Sequence, residues 1–94
     1  MLTHEKIVDA VAKTAMRFSL KKVSYFGSYA DGNATEQSDL DILVEFACPN
    51  VSLLTIAHVK YDLENELNIP VDVIHVPLPQ GAIIKIEKTI PVYE

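Results

Sequence analysis

The sequence predicts a small α/β (α+β) sandwich in which helices cover one face of a three- or four-stranded sheet. Apolar residues recur at helical spacing in two stretches, and short Val/Ile-rich runs of strand length lie between and after them. Gly, Asn and Pro punctuate the boundaries. The 94 residues are enough for one core, and a hydrophobic share of 49% favours a folded globule over a disordered tail. The expected organisation is one domain over residues 1–94.

Thr3 reads as an N-cap, with Glu5 in the first turn where the helix dipole favours an anion. Ile7, Val11, Ala15 and Phe18 then follow at helical spacing and predict a first helix. Ser19 to Lys22 reads as a short connection, with Lys21-Lys22 a solvated doublet in it. Val23 to Phe26 predicts a brief strand ending at Gly27. Ser28 to Asp31 has room for one helical turn, and Gly32 to Gln37 is a polar loop. Leu40 to Phe46 is an apolar-rich run, expected to be a largely buried strand that Cys48-Pro49-Asn50 ends. Asn50 or Ser52 caps a second helix, in which Leu53, Ile56, Leu63 and Leu67 are expected to share a core face. Asn68 reads as its left-handed stop, and Pro70 prevents continuation. Val71 to Val76 is a third strand, closed by Pro77 and Pro79. Ile83, Ile86 and Ile90 suggest a last short helix before Pro91 and a tail.

Charge narrows the function classes. The formal net charge is −5, and the cations are lysines plus the single Arg17. Binding a nucleic-acid backbone needs a basic surface, so direct nucleic-acid binding is not expected. No apolar run approaches the length of a membrane span, and the N-terminus Met-Leu-Thr-His-Glu lacks a signal-peptide pattern. Cys48 is alone, which leaves no disulfide framework and no cysteine metal site. The expectation is a reduced, cytoplasmic protein without membrane contact.

The chemistry concentrates between Gly27 and Glu45. Gly27-Ser28 follows a strand and precedes a possible helical turn. Glycine permits close backbone approach, free N–H groups there attract phosphate oxygens, and the Ser28 hydroxyl adds a donor. Alone, a Gly-Ser pair is too common to carry weight, and neither a Walker loop nor a dinucleotide fingerprint accompanies it. Asp39 and Asp41 stand one residue apart at the start of a strand. They point the same way, with Cα atoms roughly 6.5 Å apart. That spacing lets two carboxylates share one metal, or bridge two metals about 3.5–4 Å apart. Oxygen ligands of this type suit Mg²⁺ or Mn²⁺ rather than zinc. Two such charges about 4 Å apart repel by about 4 kcal/mol at an effective dielectric near 20. Taken alone, the pair reads more simply as a loop-to-strand turn with Asp41 on a wet edge. Asp72 alters the balance. It interrupts the apolar strand Val71-Asp72-Val73-Ile74-His75-Val76, where a charge needs a partner. If the third strand neighbours the second, Asp72 can complete a three-carboxylate cluster.

The combination of Phe26-Gly27-Ser28-Tyr29-Ala30 with Ser38-Asp39-Leu40-Asp41-Ile42-Leu43-Val44 and the later Asp72 resembles the polymerase-beta-like nucleotidyltransferase superfamily. Within it, the chain looks like the minimal nucleotidyltransferase (MNT) branch, and the resemblance covers nearly its whole length. It implies a palm with a mixed sheet and helices on one face. It implies Asp39, Asp41 and Asp72 as ligands of one or two Mg²⁺ ions (Mn²⁺ as an alternative) that arrive with ATP. Asp72 would also help activate the attacking hydroxyl, and Gly27 and Ser28 would hold the β/γ phosphates. The implied reaction is attack of an acceptor oxygen on the α-phosphorus, with pyrophosphate leaving. Such chains act as antitoxins paired with a helical HEPN toxin, whose tyrosine is the implied AMP acceptor. Self-association into a homodimer stays open.

One residue departs from that family's usual pattern. Asp31 stands before Gly32 where a basic residue is the rule, so a negative charge replaces a positive one beside the phosphate turn. This motivates a second reading, a non-catalytic nucleotide- or partner-binding module that neutralises its HEPN partner by contact. Other polar residues read as packing or surface. His4, His58 and His75 lack ligand spacing, and His75 has the opposite strand parity to Asp72. Glu45 is expected to be solvated or paired with a lysine. Tyr25 and Tyr29 flank the turn, and packing is the simpler role for Tyr29.

Overall fold

Thr3 caps the first helix as expected. In the computed structural model, which describes residues 2–48, 51–76 and 88–94, its hydroxyl accepts the Lys6 N–H at 3.2 Å. Helix α1 runs His4–Phe18 and buries Ile7, Ala10, Val11, Thr14 and Ala15. Strand β1 (Leu20–Phe26) begins earlier than the sequence suggests. Lys21 and Lys22 lie on this strand rather than in a loop. Leu20 is buried and pairs with Phe46, which draws the strand start forward, and a bulge between Leu20 and Lys22 turns both lysines to solvent. The short helix α2 (Ser28–Asp31) is the single turn anticipated after Gly27.

Strand β2 (Leu40–Phe46) alternates strictly. Leu40, Ile42, Val44 and Phe46 are buried, while Asp41, Leu43 and Glu45 are half-buried on the opposite face. Helix α3 (Leu53–Leu67) starts at Ser52, whose hydroxyl accepts the Thr55 N–H at 3.2 Å. It stops at Asn68, whose φ of 58° is left-handed. Its core face is Ile56, Val59, Leu63 and Leu67. Leu53 does not belong to that face and is 84% exposed. Val59, between Ile56 and Leu63, sets the direction of the buried stripe, and the first residue of the helix overhangs it. Asn50, like Pro49, Pro77, Pro79, Ile83 and Ile86, lies outside the described residues.

Strand β3 (Val71–Val76) pairs in parallel with β2, with α3 as the crossover. The expected helix at Ile90 is instead strand β4 (Ile90–Tyr93), antiparallel to β1 through Val23–Tyr93, Ser24–Pro91 and Tyr25–Ile90. Helical spacing misleads at Ile90, the one of the three isoleucines among the described residues. Pro91 is tolerated because β4 is an edge strand and the register shifts beside it. The sheet order is β3-β2-β1-β4, a mixed four-stranded sheet. Helices α1 and α3 pack together on one face, as the sequence predicts. Among the described residues, no helix is long and apolar enough to cross a membrane.

Candidate active site

The site lies where β1 ends, β2 begins and β3 begins. The register aligns Phe26 with Asp41 and Asp41 with Asp72 across three adjacent strands. Adjacent strands sit about 4.8 Å apart, so the carboxylates of Asp41 and Asp72 are direct neighbours on one face. The condition set by the sequence, that β3 should border β2, is met. Asp41 is half-buried, whereas Asp72 and Asp39 are exposed.

Gly27 closes the third side. Its φ of 73° and ψ of −147° lie where side chains are strained. A Cβ added there would collide with Asp41 Oδ2. The backbone of the phosphate-type turn therefore rests directly on the Asp41 carboxylate, a contact only glycine allows. Ser28 opens α2, and the turn is tied by Asp31 N–H to Gly27 C=O at 3.0 Å and Asn33 N–H to Ser28 C=O at 2.9 Å. The Asp31 side chain is exposed.

Asp39 is presented by a closed turn. Thr35 N–H donates to Ser38 Oγ at 2.8 Å, Ser38 N–H donates to Thr35 C=O at 3.1 Å, and Gln37 N–H donates to Thr35 Oγ1 at 3.2 Å. The sequence reading passes over these hydroxyls, although the Thr-x-x-Ser spacing of a hydroxyl turn is visible in it.

Electrostatics mark Asp41 as the pivot. Burial raises its pKa above the ordinary aspartate value, and the charges of Asp72 and then Asp39 push in the same direction. Among the described residues, no three acidic, histidine or cysteine side chains already converge into a metal cage. Asp72 comes within hydrogen-bonding reach of Asp41, whereas Asp39 acts on Asp41 through charge alone. The donor set nevertheless fits a hard divalent cation. It is all oxygen, it lies on one face, and among the described residues no cation pairs with it.

The remaining residues stay outside the site. His75 faces the helices and packs edge-on against Phe46, with ring centroids 5.2 Å apart. Glu45 pairs with Lys21 at 3.4 Å. Tyr25 is buried beneath α1, hydrogen-bonded to His4 Nδ1 at 3.0 Å, and Tyr29 packs against the core.

A family model described as a nucleotidyltransferase domain matches residues 5–92. The chain belongs to the nucleotidyltransferase domain family. A Methanocaldococcus jannaschii protein, provisionally named a protein adenylyltransferase, is 46% identical over 59 residues, which cover 63% of this nucleotidyltransferase and 62% of that relative. The chain thus spans less than two thirds of that relative's own length. Protein adenylyltransferase MntA of Thermococcus cleftensis is 37% identical over 78 residues, covering 79% of this chain and 78% of the relative. Among solved structures, a chain of the complex between tri-AMPylated Shewanella oneidensis HEPN toxin and MNT antitoxin superposes with a TM-score of 0.68. At 16% identity, covering 97% of this chain and 72% of that one, this likeness speaks for the fold.

Proposed function

We propose that this nucleotidyltransferase is a metal-dependent adenylyltransferase that moves AMP from ATP to a hydroxyl of a HEPN-type helical partner, and so acts as an antitoxin. The single observation that carries the reading is the Asp41–Asp72 pair, aligned in register with the Gly27 backbone resting on Asp41. Such a pair is costly without a cation and suited to one. The names of the relatives support the class of reaction, and the antitoxin complex supports the partner.

Asp39, Asp41 and Asp72 would hold Mg²⁺, with Mn²⁺ as a substitute. The ion, when bound, neutralises phosphate charge and helps pyrophosphate depart. Backbone N–H groups at Gly27 and Ser28, with the Ser28 hydroxyl, would bind the β/γ phosphate oxygens. Asp72, exposed beside Asp41, would accept the proton of the acceptor hydroxyl. The acceptor oxygen then forms a bond to the α-phosphorus, the bond from that phosphorus to pyrophosphate breaks, and a tyrosine is the acceptor of choice. Incubating the protein with ATP, Mg²⁺ and its proposed HEPN-type partner tests this. The partner should gain the mass of AMP, and Asp39→Asn should abolish the gain.

A second reading rests on Asp31, whose exposed carboxylate sits one short turn from Gly27. In it, the chain neutralises its partner by contact alone. A triple alanine variant of Asp39, Asp41 and Asp72 separates the two. Continued protection of cells from the partner favours contact, and lost protection favours transfer.

A further inference from the structure

The three carboxylates are not held in the same way. Asp41 and Asp72 lie inside paired strands, opposite each other in register. Buried neighbours fix them. Leu40 and Val71, each 1% exposed or less, pair with one another just before the two acids. Leu40 N–H also donates to Pro70 C=O at 3.1 Å, and Val71 N–H donates to a Glu64 carboxylate oxygen at 3.0 Å. The starts of β2 and β3 are thereby tied to each other and to α3.

Asp39 has no such support. It precedes β2, it is exposed, and it belongs to no strand pair. On its C-terminal side the Leu40 tie fixes where the chain must go. On its N-terminal side the neighbour is Ser38, which is bonded twice to Thr35. The Ser38 hydroxyl accepts Thr35 N–H at 2.8 Å, and Ser38 N–H donates to Thr35 C=O at 3.1 Å. The first bond fixes the Ser38 side chain, and the second fixes its backbone. The Thr35 hydroxyl lies 3.4 Å from that of Ser38 and accepts Gln37 N–H at 3.2 Å, which closes the turn. Asp39 is therefore clamped between a hydroxyl turn and a buried anchor, and its charge is felt at Asp41.

We propose that Ser38 is a positioning residue for the metal and nucleotide, its hydroxyl locking the 35–38 turn so that the Asp39 carboxylate is aimed at the face shared by Asp41 and Asp72. The role is indirect, since the hydroxyl accepts the Thr35 N–H and acts through the turn that carries Asp39. The inference rests on the proposed function for the ligand and adds what orients its least supported carboxylate. Supports of this kind behind a metal ligand commonly matter about tenfold or more for metal affinity.

Calorimetric titration of the full chain with Mg²⁺–ATP tests this in wild type, Ser38→Ala and Ser38→Thr. Ser38→Ala should bind about tenfold more weakly. Its melting temperature should stay close to that of wild type, because the lost bond is on an exposed turn. Ser38→Thr keeps the hydroxyl and should restore binding. In AMP transfer, Ser38→Ala should need more Mg²⁺ and recover part of its rate when Mg²⁺ is raised, which a general loss of folded protein would not produce. Equal Mg²⁺–ATP affinity of wild type and Ser38→Ala would overturn the inference and leave the functional reading standing. Failure of Ser38→Thr to restore binding would overturn it too, since the hydroxyl would not be the cause. A wild type that binds no Mg²⁺–ATP would overturn both.

Discussion

Gly27 shows how much of this site depends on a single backbone position. Its φ of 73° excludes ordinary side chains, and a Cβ would strike Asp41 Oδ2. Gly27→Ala is expected to cost about 1–3 kcal/mol of stability in denaturant unfolding. It should weaken Mg²⁺–ATP binding as well, because relief of the clash moves Asp41. Asp41 makes a complementary case. Its pKa is raised in the folded protein by burial and by Asp72 and Asp39. An acid with a raised pKa holds its proton more tightly folded than unfolded. Its contribution is favourable at low pH and is lost as pH climbs from the ordinary aspartate value through the raised one. Asp41→Asn should therefore raise the melting temperature of metal-free protein at neutral pH. The gain should vanish below the ordinary aspartate value, while AMP transfer is lost. Melting curves across that range decide it, and a variant no more stable than wild type at neutral pH would refute the assigned strain.

At the scale of elements, the helix-on-sheet packing carries the stability. Leu63 is 1% exposed in the middle of the α3 core face, so Leu63→Ala should cost about 2–5 kcal/mol. Leu53→Ala, on the same helix but 84% exposed, should stay within about 0.5 kcal/mol. Chemical unfolding of the two variants checks both the stripe and its limit. The same contrast explains what the sequence could reveal. Strand parity on β2 and the Gly-Ser and Asp-x-Asp pairs are local patterns, visible without the fold. Asp72 is conspicuous as a charge in an apolar strand, but its register opposite Asp41 depends on β3 lying beside β2. Ile90 fits a helical spacing, and its pairing with Tyr25 on β1 is a distant contact that no local pattern encodes. The Thr14–Asp62–Arg17 cluster joins α1 to α3 across a large sequence separation and leaves no mark in the sequence. The tie from Glu64 on α3 to the start of β3 is equally silent there.

At the scale of the molecule, one face of the sheet is covered by helices and the other bears the carboxylates. A chain of net charge −5 with such a face is suited to cations and to a nucleotide that arrives with its metal. The supports of the site come from different parts of the fold: a glycine turn after β1, a hydroxyl turn before β2, and a strand start pinned by α3. The most direct measurement is the intact mass of the helical partner after incubation with ATP, Mg²⁺ and this protein. Wild type should add AMP to the partner and release pyrophosphate, and Asp39→Asn should do neither while still binding the partner. An unchanged partner mass with no pyrophosphate, in a mixture where the two proteins demonstrably bind, would contradict the transfer and leave contact as the mode of action.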